Sequence, residues 1–329
     1  MTALAPTLEA FFTERLLTQR EASPRTVESY RDTLRLLLVY AGEKARKSPC
    51  QLDITDVDAV VVSAFLTHLE HDRHNSVRSR NTRLAGIHSL FRYAALRHPE
   101  HAALIQRVLA IPTKRYDRSV VNFLTREETN ALLAAPDKAT WIGRRDHTLL
   151  ALAVQTGLRV TELTRLTLAD IHLGVGAHVR CRGKGRKERA TPLNRSTVAL
   201  LRGWIKERGG SPGMALFPTG QGRQMSPDAI QWLLSKYTRL AVGECESLAA
   251  KRVSPHVLRH TCAMNLLQAG VDTSVIALWL GHESTQTTQI YLHADLTMKE
   301  HALSRTTPAD TKPGRYHPPD ELLAFLERL

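Results

Sequence analysis

Six side chains from residue 159 onward have the types and order that phosphate chemistry asks for: Arg159, Lys184, His256, Arg259, His282 and Tyr291. Arg159 stands in TGLRVTEL, where Gly157 ends one helix and the next begins near Arg159. An arginine at a helix N-terminus, beside free backbone N–H groups, suits a phosphate oxygen. Glu162, three residues on, is spaced to hold the guanidinium, although read alone the pair is better accounted for by a plain surface salt bridge. Lys184 sits in GKGRK, where it either reaches into a groove to donate a proton or is simply solvated. His256 and Arg259, in SPHVLRHT, share a helix face at i, i+3. Two such groups side by side call for an anion between them, although a core histidine with an exposed arginine satisfies the same spacing. His282 follows Gly281, and Tyr291 comes nine residues later in TTQIYLH, as a packed ring with a satisfied hydroxyl or as a nucleophile. Together these groups make a clamp for the charge of a phosphodiester plus an attacking oxygen. Phosphoryl transfer needs little from a protein beyond position and charge. No carboxylate cluster suited to a divalent metal and no GxxxxGK[ST] word occurs, so no metal, ATP or other cofactor is expected.

The elements that must position these groups are legible from local signals. Residues 146–156, rich in Leu and Ala, read as a buried helix ending at Gly157. Residues 178–182 and 189–193 read as two strands around the Gly-rich basic turn, a β-hairpin carrying Lys184, Arg186 and Lys187. Helices then dominate to about residue 304. A capping box, Thr125 to Glu128, opens this half of the chain. Before it, residues 111–121 (PTKRYDRSV within them) lack an apolar pattern and read as a linker. The N-terminal part shows helices over residues 8–19, from Pro24 after an N-cap at Ser23, and over 57–70, with no convincing strand. Tyr30, Leu34, Leu37 and Leu38 are expected on the buried face of the helix that Pro24 opens. Residues 73–99 contain no acidic residue but carry Arg78, Arg80 and Arg83 at the start of an amphipathic helix. Those arginines meet solvent or DNA phosphate, and so long an acid-free stretch favours phosphate.

The chain of 329 residues holds 45 Lys+Arg against 32 Asp+Glu, a net charge of +13, and 43% hydrophobic residues. The length suggests two domains, each able to bury an ordinary core, which excludes a wholly disordered chain. The positive excess favours a polyanionic partner, above all nucleic acid. No apolar run approaches the ~20 residues needed to cross a bilayer, and no membrane association is expected. The first residues, MTALAPTLEAFFTERL, do not read as a signal peptide. Cys50, Cys181, Cys245 and Cys262 form no CxxC pair, which fits a reducing cytoplasm.

The order Arg, Lys, His-x-x-Arg, His, Tyr, and the words TGLRVTEL, GKGRKER, SPHVLRHT, LGHES and TTQIYLH, resemble the tyrosine recombinase family, which includes phage integrases and the Xer recombinases. SPRTVESYRDTL and NTRLAGIHSLFRYA resemble its helical core-binding domain. The resemblance covers roughly residues 8–303 and implies a mainly α fold with a small β-sheet. It divides the chain into a SAM-like DNA-binding domain over 1–110, the linker over 111–121, and a mixed α/β catalytic domain over 122–303. A tail over 304–329 ends in a short amphipathic helix that packs within the subunit or on a neighbour. The implied chemistry makes Tyr291 the nucleophile, forming a 3′-phosphotyrosyl link and freeing a 5′-hydroxyl. Arg159 and Arg259 hold non-bridging oxygens, Lys184 protonates the departing oxygen, His256 assists proton transfer and His282 hydrogen-bonds the phosphate. Glu162 supports Arg159, and Arg78, Arg80, Arg83, Arg186 and Lys187 lie on DNA. The active assembly is a tetramer on double-stranded DNA, of one chain or shared with related recombinases. The spacer before residue 320 is long for a Xer protein and favours a mobile-element integrase. Two other readings share the scaffold or the chemistry. A catalytically silent DNA-binding accessory protein should have lost Tyr291 or an arginine. A type IB topoisomerase shares the chemistry but cuts and reseals one duplex, and the core-binding domain and a helix that packs in trans favour recombination over it.

Overall fold

The computed structural model describes residues 4–116, 121–183 and 188–282 together with Thr288 and Tyr291, and of Arg182 only the backbone. They divide into two compact units between Arg118 and Ser119. Helices make up most of both, and the second holds one three-stranded antiparallel sheet, so the fold is mainly α with a small sheet, as expected.

In the first unit, α1 (Leu4–Ala10) runs directly into a π-helical stretch, Phe11–Gln19, where the periodicity predicts one α-helix over 8–19. The burial explains the wider turn. Phe11 and Leu16 are both fully buried, and five residues of α-helix would point them well apart. Pairing five residues apart, as in Arg20 N–H to Arg15 O at 3.1 Å, brings them to one side. Helix α2 (Pro24–Ala45) begins as expected: Ser23 caps it by accepting from Thr26 N–H, and Pro24 fills the first position, where its missing N–H costs nothing. Leu34 and Leu37 are buried on it, whereas Tyr30 and Leu38 are half-buried. Helix α3 (Ala59–His71) starts later than the apolar run, because Asp58 accepts from Val61 N–H at 2.9 Å and sets the end there. Helices α4 (Val77–Arg97) and α5 (Ala102–Leu109) complete a core around Phe11, Leu37, Phe65, Leu84, Ile87 and Phe91.

Helix α4 corrects one expectation. Arg78 is exposed and Arg83 half-buried, but Arg80 is only 6% exposed. Its Nη1 donates to Pro112 O at 2.9 Å and Asn81 Oδ1 at 3.0 Å. The next residue, Asn81, donates to Lys114 O and accepts from Lys114 N–H. Arg80 therefore fastens the segment leaving the unit to α4 and is not available to DNA phosphate. The charge pattern marked it because an acid-free helix face does not distinguish a cation in water from one spent on backbone carbonyls.

The second unit opens with α6 (Arg126–Ala134) and its expected capping box: Glu128 N–H donates to Thr125 Oγ1 at 3.2 Å and Thr125 N–H to Glu128 Oε2 at 2.8 Å. Helix α7 (Trp141–Thr156) starts before residue 146, because Thr140 caps it by accepting from Gly143 N–H at 3.0 Å. It stops at Gly157, whose φ of +62° a side chain would strain and whose Cβ would lie 2.6 Å from Leu280 Cδ2. Helix α8 (Val160–Arg165) follows at once. Strands β2 (His178–Arg182) and β3 (Glu188–Pro192) form the expected hairpin, with Cys181 opposite Arg189, and the short β1 (Ile171–His172), not foreseen, pairs with β2. Helices α9 (Arg195–Arg208), α10 (Pro227–Ala241), α11 (Pro255–Gln268) and α12 (Thr273–Leu280) complete the unit. Lys184, Arg186 and Lys187, and the tail over 304–329 with the short helix expected at its end, lie outside the described residues. Among the described residues no helix is long and apolar enough to cross a membrane.

Candidate active site

The site is built on the C-terminal end of α12. A helix leaves its last carbonyls without intrahelical donors, and its dipole makes that end partly negative. Three consecutive carbonyls there are each taken by a different arginine. Arg189 Nε donates to Trp279 O at 3.1 Å, Arg259 Nη2 to Leu280 O at 2.7 Å, and Arg159 Nη2 to Gly281 O at 2.8 Å. The three arrive from separate elements: β3, the second turn of α11, and the N-cap position of α8. Gly281, at φ +67°, turns the chain tightly enough to expose these oxygens. Arg259 also donates to Gly157 O at 2.7 Å, so the glycine that ends α7 serves the same cluster.

Glu162 is the counter-charge. Its side chain is 3% exposed, yet its two oxygens accept four hydrogen bonds. Oε1 takes Arg159 Nη1 at 3.0 Å and Arg189 Nη1 at 2.9 Å; Oε2 takes Arg159 backbone N–H and Arg189 Nη2, both at 2.8 Å. Burial opposes ionisation of Glu162, but the donors from Arg189 and Arg159 outweigh it and hold the carboxyl below its usual range. Three guanidiniums thus face one carboxylate. Burial first, then repulsion from Arg159, brings Arg259 down to about 10. A phosphate oxygen bound here would relieve that repulsion and accept from the free N–H groups of Arg159 and Arg259.

Tyr291 is 1% exposed and packs with Cys262, Met264, Ile276 and Leu280. Its hydroxyl lies 2.9 Å from His260 Nδ1, the rings meeting edge to face at 5.5 Å. Burial pushes the Tyr291 hydroxyl up to about 12, against the pull of Arg259. Burial, then His256 and Arg259, holds His260 down to about 4, so the ring is neutral near pH 7; in its Nε2-protonated tautomer Nδ1 accepts the tyrosine proton. His282 is likewise lowered to about 4 by burial and then by Arg259 and Arg159, and its Nδ1 lies 2.8 Å from Thr288 Oγ1. His256 is exposed, on the first turn of α11.

Of the residues singled out in the sequence, Arg159, Arg259 and Glu162 meet in one network, with His282 next to Gly281 and Tyr291 bonded to the neighbour of Arg259. Lys184 is not among the described residues. Two participants were not foreseen. Arg189 occupies an inward position of β3, where Glu188 and Ala190 are exposed and Thr191 is buried. An arginine in phase with a buried threonine is the period-two signal that marks it. His260 follows Arg259 directly, and nothing local shows that it turns towards residue 291. Among the described residues no group of three or more His, Cys, Asp or Glu side chains is placed to hold a metal ion.

Residues 122–298 match the phage integrase family, and residues 10–98 match the phage integrase N-terminal SAM-like domain. The chain is 57% identical over 328 residues to a putative integrase/recombinase, y4rC, of Sinorhizobium fredii, covering 99% of this chain and 98% of the relative. It is 32% identical over 300 residues to the tyrosine recombinase XerD of Pseudomonas putida, covering 89% of this chain and 94% of that one. In fold it is similar to the Tn1549 transposon integrase, solved in complex with a circular intermediate DNA, with a TM-score of 0.68, 18% identity, and 93% and 100% of the two chains covered.

Proposed function

The chain belongs to the phage integrase family of tyrosine recombinases, and on that premise we propose that it is a site-specific DNA recombinase serving as the integrase of a mobile element. One observation carries the reading. Arg159 and Arg259 share the end of α12, and the Tyr291 hydroxyl is bonded to the residue beside Arg259. A double-guanidinium clamp next to a phenol suits a phosphodiester and a covalent tyrosyl intermediate. Double-stranded DNA is the partner, and the net charge of +13 supports it.

In this mechanism Tyr291 Oη attacks the scissile phosphorus. The bond from phosphorus to the 5′-oxygen breaks, a 3′-phosphotyrosyl bond forms, and the 5′-oxygen leaves as a hydroxyl with a proton from Lys184. His256 assists removal of the Tyr291 proton, Arg159 and Arg259 each hold a non-bridging oxygen, and His282 donates to the phosphate. A 5′-hydroxyl from a partner duplex then attacks the phosphotyrosyl bond and restores the tyrosine. One phosphodiester-type bond replaces another, so neither ATP nor a metal is consumed. Reaction requires Tyr291 to exchange its buried bond with His260 for the phosphate. Residues 1–110 and 122–303 act as the DNA-binding and catalytic domains, joined by 111–121, in a homo-tetramer or one shared with related recombinases. The long spacer before residue 320 favours a mobile-element integrase over chromosome-dimer resolution.

The test uses nicked duplexes, which trap cleavage, tiled across the DNA flanking the gene. Wild type should form a covalent band on a denaturing gel, and Tyr291→Phe should bind the same duplex without one. A band from Tyr291→Phe overturns the nucleophile assignment. Tight specific binding by both without any band supports the silent DNA-binding reading instead.

A further inference from the structure

Arg189 has no place in the phosphate chemistry above, yet its side chain makes three hydrogen bonds within the network, where that of either clamp arginine makes two. We infer that Arg189 is a positioning residue that aims Arg159, acting through Glu162 and the Gly281 turn; the inference rests on the phosphate-clamp reading. Arg159 has two side-chain partners, Glu162 Oε1 and Gly281 O. Arg189 backs both of them. Its Nη1 and Nη2 donate to the two oxygens of Glu162 at 2.9 and 2.8 Å, so each oxygen that serves Arg159 is also held from the far side. Its side chain also lies close against the Gly281 turn: a Cβ at Gly281 would fall 2.8 Å from Nη1 and 3.1 Å from Cζ. Its Nε then ties Trp279 O, two residues before that turn.

The Arg189 side chain is 13% exposed, and three of its five N–H groups are committed to Glu162 and Trp279. That leaves it poorly placed to grip a ligand and well placed to stiffen its neighbours. A bidentate fork with a third donor at a right distance is a geometry only arginine supplies; lysine brings the charge but one nitrogen. Without Arg189, the buried carboxylate loses half its donors and the turn loses its backing, so both anchors of Arg159 are free to shift. Misplacement of a charge-stabilising group by about 1 Å is enough to cost on the order of 10²-fold in rate.

The experiment is a double-substitution cycle on the full chain, reading the rate of covalent-band formation on the nicked duplex and, separately, the Kd for the same DNA. Arg189→Gln should slow cleavage by about 10²-fold while changing Kd by less than about 3-fold. In an Arg159→Lys background, where the fork to be aimed is already gone, Arg189→Gln should add less than about 3-fold, because residues acting as a unit are not additive. Arg189→Lys keeps the buried charge; its folding is checked by melting temperature, and it should still lose roughly tenfold or more, since one ammonium cannot bridge two carboxylate oxygens. A full, independent loss in the Arg159→Lys background would make Arg189 a direct phosphate ligand and overturn the inference. So would rates within about 3-fold of wild type for both Arg189 variants. If Arg159→Lys alone cleaves at the wild-type rate, it is the phosphate-clamp reading that fails, and that result is read from a different variant.

Discussion

Arg80 in the first unit and Arg259 in the second are both buried, at 6% and 5% exposure, and both donate to main-chain carbonyls. Burial disfavours the charge on each. The difference lies in the charge around them. Arg80 is eased by Glu70, which Lys114 also pairs at 2.7 Å, and its carbonyl belongs to the segment leaving its own unit. Arg259 stands with Arg159 and Arg189 against the single carboxylate of Glu162. A buried cation whose surroundings are close to balanced holds a fold together. A buried cation inside a positive excess is complete only when an anion arrives, and perturbed groups of that second kind gather where ligands bind.

The largest effect that would break this contrast is on rate. Arg259→Lys should slow covalent-band formation on the nicked duplex by ~10²–10³-fold, the cost of removing one aimed donor at a developing charge. A near-normal rate would put Arg259 in the same structural class as Arg80. Arg80→Met should act in the opposite way. Cleavage and its salt dependence should be unchanged, while denaturant unfolding should show a loss of ~1–3 kcal/mol as Pro112 O loses its buried donor. Its exposed neighbour Arg78 serves as the control: Arg78→Gln should lower the slope of log affinity against log salt by at most about one unit. A similar fall in slope from Arg80→Met would return Arg80 to the DNA surface.

The smallest expected effect is a pH dependence that arises at His260 in the second unit. His260 is held at about 4 in the fold against its ordinary 6.5. Between those values the unfolded chain takes up a proton that the folded one refuses, so stability is present above about pH 6.5 and declines as pH falls towards 4. Lowered His282 adds to the same window. Melting of wild type and His260→Phe from pH 7 to pH 4 should show a shallower decline in the variant. Parallel curves would mean that the neutral ring bonded to Tyr291 does not contribute.

Much of the fold was legible because its punctuation is local. Ser23 with Pro24, the box at Thr125 and the glycines at 157 and 281 each act within a turn or two, and a cap or a left-handed turn needs only its neighbours. The hairpin was legible for the same reason. Starts set by a capping side chain, at Asp58 inside the expected run and at Thr140 before it, were placed less well, because the hydrophobic period says where a face is buried and not where its backbone begins. The π-helical turn at Phe11–Gln19 was not legible, since it answers to two buried side chains, Phe11 and Leu16, and to the elements packed on them from elsewhere.

For the site, residue type and order alone determined that arginines, histidines and a tyrosine suited to phosphate lie between residues 159 and 291, and that Glu162 is within reach of Arg159 at i, i+3. Tertiary structure alone decided which cations share a counter-charge. Arg189 reaches Glu162 across 27 positions, Arg259 reaches Gly157 O across 102, Arg159 reaches Gly281 O across 122, and His260 turns to Tyr291 across 31. The physical reason is the range of the forces. Backbone preferences act over one turn and are written in neighbouring residues. The balance of buried charge is settled only when distant segments are brought into the same low-dielectric space.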